Sequence, residues 1–255
     1  MAIHLSLWWL AAIPGIGVVL FAHFICYGAY IEGELERCRY SKALKMLDGP
    51  LLWRSTASYQ VQRANALFYS GRAPEAETTL RKLVAPGRSK VDRVIGFENL
   101  GRVLLAQGRY QEARETFETA ARMWRSSSMA FSGLAELRLL QGTGPGLALR
   151  DAEKALELYL HTPTEWAGRE RAASIRGNQA WALALQGYAA ESKQAIEAGI
   201  REMEPKYLPE VAGFYWRAGM AMQALEDPAA DGYFRRAVDL DPQGYYGGLA
   251  RQHLA

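Results

Sequence analysis

Four histidines (His4, His23, His161 and His253) and two cysteines (Cys26 and Cys38) are all the imidazoles and thiols this chain has. A zinc site needs at least three convergent protein ligands, and a nucleophilic thiol needs a basic neighbour. Two of the histidines fall in an apolar amino-terminal stretch and the other two are far apart. Neither cysteine has an obvious basic partner, and the pair offers no disulfide framework. The run Ser126-Ser127-Ser128 follows a helix end and reads as a cap for the next helix. Glu112 and Glu115 lie on what helical spacing makes an outer, charged face. Gly142-Thr143-Gly144-Pro145-Gly146 precedes a helix, as phosphate-cradling loops do, but no Gly-Lys-Ser/Thr follows and no strand leads into it. These residues point away from catalysis, and neither cofactor nor metal is expected.

The elements around them begin with a stretch of 31 residues that lacks Lys, Arg, Asp and Glu. As a helix, Leu5 to Tyr30 would be roughly 39 Å long, enough to cross a hydrocarbon core of about 30 Å. Trp8 and Trp9 at one end and Tyr27 and Tyr30 at the other suit interfacial belts. A single-pass membrane anchor is therefore expected over residues 1–31, with a cleaved secretory signal or a buried helix of a soluble domain as the alternatives. Arg37, Arg39, Lys42 and Lys45 follow it and no cation precedes it, which predicts a membrane protein with a cytoplasmic carboxy-terminal body.

The rest of the chain mixes acidic and basic residues, for a net charge of +3 overall. With no basic stripe, nucleic acid is not an expected partner. Ala, Leu, Arg, Glu and Gln dominate, and β-branched residues are sparse between residues 97 and 200, so the body reads as helical. Glycines recur between paired helical patterns, at Gly71, Gly108, Gly142 and Gly187. The clearest unit spans 94–127 and places Phe97, Leu100-Gly101, Gly108-Arg109-Tyr110, Ala113, Phe117 and Ala120 at fixed offsets. Small residues there allow two antiparallel helices to cross closely, and Gly108 lets the chain turn.

This pattern resembles the tetratricopeptide repeat, and the resemblance extends with gaps to 57–90, 128–161, 173–206 and 211–244. It implies an all-α superhelical solenoid of helical hairpins preceded by one transmembrane helix. Residues 32–56 are expected to form a juxtamembrane segment with a partial repeat helix. Three repeats over 57–161, a join over 162–172, two repeats over 173–244 and a capping helix over 245–255 complete the layout. The join is where the superhelix is expected to change direction. In the copy at 128–161 the register of Ala148, Ala152 and Ala155 stays open.

In that family the first helices of successive repeats line a concave groove that takes extended peptides or helices. Carried over, the groove positions include Asn65, Phe68, Tyr69, Arg102, Leu105, Glu136, Leu139, Trp181, Leu185, Tyr215 and Met222, a surface unusually rich in apolar area. Asn65 and Asn99 match the asparagines of a related carboxylate-gripping subgroup, but Val61, Met129 and Gly133 replace its cations. The resemblance implies a membrane-anchored protein–protein interaction scaffold with a protein or peptide in its groove and a possible membrane-complex partner through the anchor. A permanent accessory subunit of such a complex, or an assembly chaperone on the non-cytoplasmic side, are the alternatives. If Arg102 faces the groove, Arg102→Ala should leave thermal stability nearly unchanged.

Overall fold

Left-handed turns punctuate the chain at near-regular intervals and divide it into helical hairpins. The structure, a computed structural model, describes residues 26–49, 56–161, 169–203 and 206–254. Its helices are α1 (residues 26–36), α2 (Tyr40–Leu47), α3 (Ala57–Tyr69), α4 (Ala73–Val84), α5 (Lys90–Ala106), α6 (Tyr110–Met123) and α7 (Ser128–Leu140). They continue as α8 (Pro145–His161), α9 (Arg169–Leu185), α10 (Ala189–Glu202), α11 (Leu208–Ala224), α12 (Ala230–Leu240) and α13 (Tyr245–Arg251). Gly71, Gly108, Gly142 and Gly187 all sit at positive φ, which a side chain disfavours. Two non-glycine residues adopt the same conformation, Cys38 at φ 56° and Glu226 at φ 55°. In each of the six turns the residue after the left-handed one donates its backbone N–H five residues back, as Arg39 does to Glu34 and Asp227 to Met222. Helices α1 and α2 are therefore a full hairpin, the first of six among the described residues.

Local chemistry accounts for the helix starts and crossings. Thr56, Ser89 and Ser127 each accept a backbone N–H from the first turn of the helix they precede. The ring of Phe117 lies against both Gly101 and Gly133, where a Cβ would come within 2.6 Å of it at Gly101 and closer still at Gly133. One aromatic thus seats α5, α6 and α7 together. In α8, Ala148, Ala152 and Ala155 are all fully buried, which fixes the register left open by sequence.

The hairpins stack in order, with α5 resting on α4 and α9 on α8, until the last. Helix α11 packs on α9 and scarcely touches α10. Gly177 and Gly199 make this possible: a Cβ on the first would meet the Arg217 side chain at 3.0 Å, and one on the second the Phe214 ring at 2.5 Å. The final hairpin consequently swings inward and meets the beginning of the solenoid. Tyr40 donates to Asp241 at 2.8 Å, Phe68 packs on Tyr245 at 4.8 Å, and Lys206 pairs with Glu36 at 3.2 Å. The expected join at 162–172 lies mostly outside the described residues.

The single-pass anchor is corrected. Among the described residues no helix is long and apolar enough to cross a membrane. Most of the expected span, residues 1–25, lies outside the described residues. Its end belongs to α1, which buries Ile31 and Leu35 in the solenoid core. Tyr27 and Tyr30, expected at a lipid interface, instead bond α2: Tyr27 donates to the Met46 carbonyl at 3.2 Å and Tyr30 accepts from Lys42 at 2.8 Å. The membrane localisation, the cytoplasmic topology and the membrane-complex partner rested on that anchor and are withdrawn with it.

Candidate functional site

Closure of the solenoid brings the inner faces of α3, α5 and α11 together around one guanidinium. Arg102 on α5 donates to Glu210 at 2.6 Å, to the Tyr69 hydroxyl at 2.9 Å, to Asn99 at 3.0 Å and to Asn65 at 3.1 Å. Tyr69 in turn donates to Glu210. The cation lies over the Phe68 and Tyr69 rings, 5.2 and 5.5 Å from their centroids. Burial alone would raise the Glu210 pKa. The charge of Arg102 and the Tyr69 hydroxyl outweigh it and hold the carboxyl below its usual value.

A second cation lies beside this cluster. Arg217, two turns of α11 further along and only 2% exposed, pairs with Glu136 at 2.7 Å and donates to Tyr246 at 3.0 Å. Tyr246 also packs against Tyr69 and Trp216, and Trp216 meets Trp181 edge-on at 5.7 Å. The inner face is thus a continuous layer of aromatic rings with one half-buried and one buried ion pair set into it. At the seam itself, burial raises the Asp241 pKa, against the hydrogen bond from Tyr40. Burial likewise pushes the Cys38 thiol up to about 12, so it has no thiolate character at neutral pH. Among the described residues no three His, Cys, Asp or Glu side chains are placed to hold a metal.

The residues singled out by sequence are distributed as follows. Asn65, Phe68, Tyr69 and Arg102 converge in the first cluster, and Glu136 and Trp181 join it through Arg217 and Trp216. Leu105, Leu139 and Met222 are buried between helices. Tyr215 is half-buried and stacks on Tyr233, away from the centre. Leu185 is 42% exposed at the end of α9. Phe68, Tyr69 and Trp181, expected to give an open apolar surface, are buried because the last hairpin covers them.

Glu210, Arg217 and Tyr246 were not singled out by sequence. Their signal was available in α11, where a lone acid and a lone arginine seven residues apart share a face of an otherwise apolar helix.

Set beside known proteins, the helical fold finds counterparts. Residues 97–123 match the tetratricopeptide repeat. No curated protein matches the sequence. Among solved structures, the APC/C hetero-tetramer Cut9–Hcn1 is similar over 86% of this chain, with 13% identity and a TM-score of 0.55. This chain spans only 38% of that one. YrrB, a TPR protein with an unusual peptide-binding site, aligns over 84% of this chain and 97% of its own at 20% identity and a TM-score of 0.41. The C-terminal part of a TPR repeat-containing protein from Cytophaga hutchinsonii aligns over 84% and 78%, at 14% identity and a TM-score of 0.40. The protein is an all-α, tetratricopeptide-like solenoid, a fold class known for protein–protein interaction rather than catalysis.

Proposed function

We propose that this protein is an interaction scaffold that takes a helix or extended segment of a partner protein on its concave face. One observation supports this reading above the others. The inner face already grips a carboxylate, because Arg102, held by Asn65 and Asn99, binds Glu210 from a hairpin three layers away. The cluster is built like a receptor for an acidic side chain, and α11 fills it from within the same chain. A partner gains access when α11 and α13 lift from α3, exposing Phe68, Tyr69 and Arg102 together.

Site-specific photocrosslinking tests the proposal. A photoreactive residue at Asn65 or Leu185 should trap a partner protein, whereas one at Gly232 on the outer face should not. Glu210→Gln weakens the internal occupant and should raise the yield at position 65. Equal trapping from inner and outer positions, or a yield at position 65 indifferent to Glu210→Gln, would refute concave-face binding.

A further inference from the structure

A second interaction surface lies on the outside, where α6 meets α7. The seam between these helices is thinner than the α4–α5 and α8–α9 seams. It leaves an open cavity of about 360 Å³ lined by Glu118, Ala121, Arg122, Arg125, Phe131 and Leu134. The floor is apolar: Phe131 is half-buried on α7, with Leu134 and Ala121 beside it. The rim is cationic. Arg122 is exposed and only loosely paired with Glu118, at 3.7 Å, and Arg125 is exposed with no ion-pair partner among the described residues. Just beyond the rim, Trp124 is 43% exposed, with the Lys90 ammonium 5.9 Å from its ring.

We infer that this groove docks an amphipathic helix of a partner protein, one that carries large apolar side chains along one edge and Asp or Glu on its flanks. The apolar floor between two helices suits a third helix laid along them, since side chains of the newcomer fill the gap that α6 and α7 leave open. The unpaired arginine charge selects an acidic flank over a basic one. This surface is independent of Arg102 and of the solenoid's closure, so it goes beyond the concave-face reading and can stand or fall separately.

The probe is a fluorescein-labelled synthetic amphipathic helix of Leu, Phe, Ala and Glu, titrated with the full-length protein and followed by fluorescence anisotropy. Its counterpart carries Lys in place of every Glu. The acidic helix should bind, more weakly as salt rises. Its affinity should fall at least about tenfold in Arg122→Glu/Arg125→Glu. Arg125→Ala, which breaks no hydrogen bond or ion pair among the described residues, should weaken binding with an unchanged far-UV circular dichroism spectrum and melt. Arg102→Met/Glu210→Met, which removes both partners of the inner ion pair, should leave binding intact. Failure of the acidic helix to bind the parent protein would overturn the inference. So would equal binding of the Lys counterpart, indifference to both arginine variants, or a loss of binding in Arg102→Met/Glu210→Met, which would move the contact to the concave face.

Discussion

Removing the Arg102 guanidinium tests the closed interior most directly. The sequence alone made it a solvent-facing groove residue that alanine could replace at no cost. In the structure Arg102→Ala deletes four hydrogen bonds and strands Glu210, leaving that carboxylate only the Tyr69 hydroxyl. Breaking a buried ion pair by removing one partner costs about 3–5 kcal/mol. The Arg102 and Glu210 side chains keep 18% and 23% of their exposure, so water reaches the stranded acid and relieves part of that cost. A destabilisation of about 3 kcal/mol is expected, which for a chain of this size lowers the melting temperature by roughly 10 °C.

Urea unfolding followed by circular dichroism provides the assay, with Glu210→Ala and the double variant completing a cycle. The two single losses should exceed the double loss by at least about 1.5 kcal/mol. Arg102→Met/Glu210→Met, apolar at both positions, should stay close to the parent. The Glu210 pKa is lowered on folding from 4.5. Its contribution is therefore present above the unfolded value and disappears as the pH falls through the folded value. The gap between parent and Arg102→Ala should narrow in acid accordingly. An Arg102→Ala variant within about 0.5 kcal/mol of the parent at pH 7 would refute the closed interior, since surface substitutions fall in that range.

Asp241 titrates in the opposite sense: its pKa is raised on folding by burial, so the parent should gain stability relative to Asp241→Asn as the pH drops from 7 through that raised value, and urea midpoints across a pH series would show no such gain if Asp241 were solvated. Ala113→Leu adds volume at a fully buried helix crossing and should cost about 1–3 kcal/mol in a denaturant melt; no loss would contradict the repeat register. Glycine substitutions should split by position. Gly133→Ala drives a methyl into the Phe117 ring and should destabilise, whereas Gly232→Ala, with nothing within 4 Å, should raise stability by up to about 1 kcal/mol. Glu226→Gly should also stabilise, by about 1 kcal/mol, because an exposed glutamate holds the left-handed turn there at φ 55°; an unchanged melting temperature would count against the turn assignment.

The parts of the fold that depend on spacing within one hairpin were legible. Phe97, Gly101, Gly108, Ala113, Phe117 and Ala120 sit within one pair of helices, and their sizes dictate how that pair crosses. The cap at Ser127 was readable for the same reason. Turns at Cys38 and Glu226 were not, because neither side chain advertises a positive φ. The apolar amino-terminal run suggested a membrane span, yet hydrophobicity alone does not say whether lipid or protein covers a helix. Ile31 and Leu35 are covered by α2 and the solenoid core. The groove residues illustrate a further gap. Their helix faces were assigned by analogy with an open superhelix, but exposure depends on the angle accumulated over six hairpins, which no local spacing encodes.

That angle is decided at two glycines. Gly177 in α9 and Gly199 in α10 present bare backbone to Arg217 and Phe214, so α11 sinks onto α9 instead of continuing the stack on α10. Once it does, Glu210 and Arg217 face inward, Arg217 sealed from water and Glu210 largely so. They require counter-ions, and Arg102 and Glu136 on earlier hairpins supply them. The buried charges and the closure are therefore mutually dependent: an open solenoid would leave Phe68, Tyr69, Trp181 and Trp216 as exposed aromatic area, and a closed one without the ion pairs would bury uncompensated charge. Gly177→Leu, by lifting α11, should break both at once, raising the binding of an apolar dye and the reactivity of Cys38 toward a thiol reagent at neutral pH. A variant that remained closed by both readouts would mean that the inward swing of the last hairpin is driven from elsewhere in the chain.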